Sequence, residues 1–233
     1  MWGVLAVVKC YDWIILRGDK MAFQRSDLVN FYSHLLGAVA ALAGYIVLLL
    51  NSSGSVTNIV ISSIYGFGAI FVFTCSAAYH GQKADEDERN PWRKLDHIAI
   101  FFMIAGTYTP ISYIYLDGWW RWGVIGAQWL LVILGLVFKL VYIHGPRWLT
   151  TVIYVVMGWM LVIPLNQLLV TMPLNSLLLL LGGGIAYTLG ALIYALKKPN
   201  PLPGVFGFHE IFHLLVLLGA VLHYMVIYYA IKG

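Results

Sequence analysis

The sequence predicts an all-α integral membrane protein: a bundle of seven transmembrane helices with a cytoplasmic N-terminus and an external C-terminus. Three observations predict it. Hydrophobic residues fill 61% of the 233 positions and charged residues only 10%, with a mean hydropathy of +0.83, far outside ordinary soluble domains. A soluble core of this size needs a polar shell that the composition does not contain, whereas a lipid-facing surface needs none. The apolar residues also gather into seven stretches, each near the roughly 20 residues that cross a hydrocarbon core as a helix. Finally, lysine and arginine fall on alternate connections between those stretches.

In chain order, residues 1–26 read as an N-terminal extension, interfacial or disordered, and 27–233 as the seven-helix domain. The apolar run from Trp2 to Val8 is too short to span. It follows no basic residue and precedes no small-residue cleavage site, so it does not read as a signal peptide; Met21 is an alternative start. The spans then run from Leu28 to Leu50, Asn58 to His80, Asp96 to Leu116, Trp122 to Ile143, Leu149 to Val170, Leu174 to Leu196 and Phe208 to Ile231. Pro164, Asn166 and Gln167 interrupt the fifth. Pro110 in the third and the run Gly182, Gly183, Gly184 in the sixth are tolerable, because neighbouring helices satisfy the freed backbone or exploit the close approach.

Orientation follows from the basic residues. Lys9, Arg17, Lys20, Arg25, Lys83, Arg89, Arg93, Lys94, Lys139, Arg147, Lys197 and Lys198 share the side of the N-terminus, against Arg121 and Lys232 on the other. Twelve against two places the N-terminus inside by the positive-inside rule. The net charge of +4 suits anionic headgroups and calls for no nucleic acid. Cys10 and Cys75 form no disulfide framework. The acidic run Asp85, Glu86, Asp87, Glu88 reads as a solvated loop balanced by Lys83, Arg89, Arg93 and Lys94.

With that topology the histidines fall into place. His80 ends the second span, Asp96 and His97 open the third, and His209 and His213 open the seventh, all at the inner face. Residues four apart on a helix lie about 6 Å apart on one face, a relation shared by His209 with His213 and Ser76 with His80. A third imidazole completing the set would leave the fourth tetrahedral position of zinc for water, as in catalytic sites. Zinc so held brings the pKa of that water to about 7. Asp96 is then the natural general base or second partner, and Ser76 an orienting hydroxyl.

Each element also has a purely structural explanation. A membrane histidine such as His34, His144 or His223 ordinarily bonds across helices. His223 lies about 15 Å along the helix from His213, too far to share its ion, whereas His34 opens a span on the inner side and is the one best placed to approach. Asp96 is alternatively a helix N-cap, and Ser76 a packing residue. Glu210 completes an HExxH pattern, which in soluble metalloproteases supplies two ligands and a glutamate base; an intramembrane protease is therefore a competing reading, with His80 as the third ligand. Glu210 otherwise sits favourably in the first turn of its helix.

Four stretches, "NFYSHLLG" from Asn30, "SAAYH" from Ser76, "KLDHIAIFFMIAGTYTP" from Lys94 and "HEIFHLLVLLGAVLHY" from His209, together resemble the haemolysin III family. That family is the bacterial branch of the progestin and adipoQ receptor proteins. The resemblance runs from about Asp27 to the C-terminus and leaves 1–22 unmatched. It implies seven helices, a cytoplasmic N-terminus and a zinc ion near the inner face, with His80, His209 and His213 as ligands and Asp96 and Ser76 beside them. In that family the closing motif is HxxxH, so the glutamate is incidental.

Relatives in the wider superfamily include hormone-responsive receptors and amidases that cleave ceramides. The leading expectation is therefore a zinc-dependent lipid amide or ester hydrolase with membrane lipids as partners. The alternative is a lipid-responsive sensor or regulator in which zinc is structural. No export signal and no long amphipathic segment supports a pore-forming toxin.

Overall fold

The computed structural model describes residues 25–82, 90–141 and 147–233. The predicted extension up to residue 24, the alternative start at Met21, the acidic run 85–88 and His144 lie outside these residues. The described chain is helical. In order it forms α1 (Arg25–Asn51), α2 (Val56–Gln82), α3 (Pro91–Tyr115), α4 (Gly118–Val141), α5 (Arg147–Gly158), a 3-10 turn (Met160–Val162), α6 (Leu165–Thr171), α7 (Leu174–Leu196) and α8 (Phe208–Lys232).

Six of these helices are long and apolar enough to cross a membrane. A seventh crossing exists if Leu149–Val162 and Leu165–Thr171, bent by 54° at the break between them, form one span. That bent pair is the stretch which Pro164 was expected to interrupt, and it is where the backbone departs from a continuous helix. The break leaves carbonyls without helical partners, and the structure supplies side chains for them. Gln128 Nε2 donates to Met157 O at 2.8 Å, and Tyr108 Oη donates to Gly158 O at 2.6 Å. A break at membrane depth is tolerable only when its backbone is satisfied by protein in this way.

α3 is central: 72% of its most apolar window is buried, against 17% for α1. It is capped by Asn90, whose side chain accepts from Trp92 N at 2.9 Å, with Pro91 in the first turn, where a missing N–H costs nothing. Asp96 is therefore a second-turn residue, and the N-cap role considered for it belongs to Asn90. α2 lies so close along α3 that a Cβ on Gly68 would stand 2.9 Å from Phe102 O, and one on Gly106 would stand 3.1 Å from Ile64 O. Reciprocal small residues let two helix backbones approach in this manner.

α1, α2, α3 and α8 pack against one another as the tight half of the bundle, with α7 on α8 and α4 on α3; α5 and α6 touch only lightly. Leu36, Val60, Leu134, Val170 and Leu174 point outward and stand exposed, a surface that water would penalise and hydrocarbon accepts.

Candidate metal centre and cavity

The candidate site lies at one end of the bundle, where α1, α3 and α8 begin and α2 ends. His80 sits in the last turn of α2, and His209 and His213 occupy the first two turns of α8. Their Nε2 atoms face one another: His209 to His80 at 3.3 Å and His213 to His209 at 3.1 Å. All three ligand atoms lie within 4.8 Å of one another, with His80 and His213 buried and His209 partly so. Three imidazole nitrogens this close cannot all be satisfied by one shared proton, because each ring nitrogen either donates or accepts. A divalent cation resolves that conflict, so the cluster can hold a metal.

The start of α8 is fixed by its own sequence. Gly207 is its N-cap, and a Cβ there would stand 2.6 Å from Asn200 Oδ1. That same oxygen accepts from Phe208 N at 3.1 Å, satisfying one first-turn donor. Glu210 Oε2 reaches back to accept from Gly207 N at 2.6 Å, the reciprocal half of a capping box. Its other oxygen, Oε1, accepts from Asn30 Nδ2 at 2.8 Å, and Glu210 is only 4% exposed. Both oxygens of the HExxH glutamate are thus engaged, one by Gly207 N and one by Asn30 Nδ2.

Of the remaining expected residues, Ser76 is buried one turn before His80 on α2 and lies near the Asp96 carboxylate, lining the same cavity. Asp96 is partly accessible, and its exposure is to a cavity of about 770 Å³ that the histidine cluster also lines. The cavity runs from Asp27, His80 and His209 past Ile100, Ile104, Val155 and Val216 to Tyr108, Gly158, Gly184 and His223. Its size is that of small-molecule sites.

His34 does approach, its ring centroid 3.9 Å from that of His213. His97 stays apart from the cluster: its Nδ1 lies 3.4 Å from Lys139 Nζ, and its carbonyl accepts from Tyr154 Oη at 2.6 Å. His223 makes the cross-helix bond expected of a membrane histidine, Nε2 to Leu180 O at 3.1 Å. Gly183 provides the room, since a methyl group there would overlap the His223 ring.

Sequence reasoning missed two residues. Asp27 Oδ1 lies 3.1 Å from His80 Nδ1 and is 4% exposed, and Asn30 holds Glu210 as described. A signal was present: Asp27, Asn30 and His34 are spaced three and four apart, which puts them on one face of a helix that is otherwise apolar.

A polytopic helical membrane protein with a three-histidine cluster at one end of its bundle is the class that fold and site define. The chain belongs to the haemolysin-III-related family, whose model matches residues 23–224. It is 31% identical to "Hemolysin-3" of Bacillus cereus over 212 residues, covering 90% of this chain and 94% of that protein. To "Hemolysin-3 homolog" of Bacillus subtilis it is 29% identical over 211 residues, covering 89% and 96%. A 28% identity to "Adiponectin receptor protein" of Drosophila melanogaster spans 215 residues, 84% of this chain and 48% of that one. Family and apolar helices together make it a multi-pass bacterial membrane protein.

Proposed function

We propose that the protein is a zinc-dependent hydrolase of lipid amide or ester bonds, its site at the cytoplasmic face and its C-terminus outside. The observation that carries the reading is the convergence of three imidazole Nε2 atoms beside the Ser76–Asp96 pair in one cavity. Tetrahedral zinc with Zn–N of about 2.0–2.1 Å sets its ligand nitrogens about 3.3–3.4 Å apart; the contacts of 3.3 and 3.1 Å come near that spacing, and all three ligand atoms lie within 4.8 Å of one another. When bound, zinc supplies Lewis acidity toward a carbonyl and acidifies water toward neutral pH.

The chain's own residues do the rest. Asp96 takes the proton of the attacking water and returns it to the leaving amine or alkoxide, the ordinary alternation of a general base and acid. Ser76 holds the carboxylate in place for that transfer. The apolar wall of Ile100, Ile104, Val155 and Val216 receives the acyl chain and keeps it out of water. The excess of basic residues on the N-terminal side supports the orientation.

Incubation of the purified, zinc-loaded protein with ceramide-like amides and simple lipid esters should release fatty acid. His209→Ala should abolish release, and Asp96→Asn should cut it about 10²- to 10⁴-fold while zinc stays bound. A second reading, a lipid-responsive regulator with structural zinc, draws support from the burial of His80 and His213. It gains if no lipid is turned over and chelation lowers thermal stability sharply.

A further inference from the structure

The first turns of α1 do more than enter the membrane. We propose that Asp27 and Asn30 are positioning residues for the histidine cluster: Asp27 sets the ring of His80, and Asn30 sets the first turn of α8 through Glu210. The proposal rests on reading the cluster as a metal site and adds to it the parts that preorganise the donors.

The geometry supplies the argument. An ionised carboxylate only accepts hydrogen bonds, so the 3.1 Å contact from Asp27 Oδ1 to His80 Nδ1 places the ring proton on Nδ1. The lone pair is then on Nε2, the atom that faces His209 Nε2 at 3.3 Å. A carboxylate behind a ligating histidine fixes its tautomer and orientation, and removing such a partner costs about 10- to 100-fold in metal affinity.

The second arm acts on the other two ligands. Buried carboxylates are costly unless hydrogen-bonded, and Glu210, 4% exposed, accepts from Asn30 on α1 and from its own N-cap. One side chain therefore ties the start of α8, whose first two turns carry His209 and His213, to the helix that carries Asp27. The HExxH pattern marks this tether, and its glutamate is a positioning residue, not a general base.

Zinc titration of the full chain in detergent tests this, with the visible spectrum of the cobalt-substituted protein as a report on ligand geometry. Asp27→Ala should weaken zinc binding 10- to 100-fold and alter the cobalt bands while helix content is kept. Asp27→Asn, which retains an accepting oxygen, should recover part of the affinity. Glu210→Gln should weaken binding, because its amide opposes the donors of Asn30 and Gly207. The exchange Asn30→Asp with Glu210→Gln reverses the polarity of the pair and should restore binding toward the parent.

A parent chain that takes up zinc, with Asp27→Ala matching it in affinity and spectrum, overturns the proposal alone. So does a Glu210→Gln protein that binds zinc like the parent yet hydrolyses nothing, since that is the behaviour of a base. A parent that takes up no zinc at all overturns the metal reading and this proposal with it.

Discussion

The two walls of the cavity are built differently. On one side α1, α2 and α8 meet in a polar network: Asp27 with His80, Asn30 with Glu210, Asn200 with the start of α8. On the other, a twelve-residue α5 breaks at Gly158, bends by 54° and leans lightly on α3 and α7. The first wall ties the elements that carry the donor atoms to one another by buried side-chain bonds, the kind of support a metal site demands. The second is held by side-chain bonds to the carbonyls of the break, such as Tyr108 to Gly158, and packs lightly on its neighbours. Local stability is not uniform, and elements that move are drawn from the weakly packed part.

The difference can be broken from the rigid side first. Gly68→Val should be the most damaging, because its side chain must push against Phe102 O, 2.9 Å from the position of a Cβ. Overpacking of this kind costs about 1–3 kcal/mol, read as a lower unfolding temperature together with loss of metal uptake.

Tyr108→Phe acts on the loose wall and leaves Gly158 O without its donor. A buried unsatisfied group costs about 1–3 kcal/mol, but here the loss should stay local. Hydrogen exchange should quicken around residues 157–163 while metal content is unchanged; global destabilisation equal to that of Gly68→Val would erase the distinction between the walls.

Val170→Ala should be the mildest. Val170 is 86% exposed, so its truncation should shift stability by no more than about 0.5 kcal/mol.

The same contrast explains what was legible in the sequence. Six of the spans were, because length and apolarity are local properties, and Pro164 marked the interruption of the fifth stretch; the start of α3 is set by Asn90 and Pro91, while the 54° angle of the bent pair involves partners such as Gln128 and Tyr108 that lie far away in sequence. His80, His209 and His213 were legible because topology brings the end of α2 and the start of α8 to one level. Asp27 and the use of Glu210 were not, since a carboxylate near a helix start has a sufficient local explanation in the dipole. Only the packing of α1 against α2 and α8 shows that each carboxylate is spent on another helix's residue or on its cap.

The central claim is that three imidazoles from two helices enclose one divalent cation. X-ray absorption at the zinc edge, on protein purified without added metal, tests it most directly. The account predicts imidazole scattering from His80, His209 and His213 with Zn–N distances of about 2.0–2.1 Å, and its disappearance in His80→Ala. Metal-free protein that stays empty when zinc is supplied, or a zinc shell that is unchanged in His80→Ala, would contradict it.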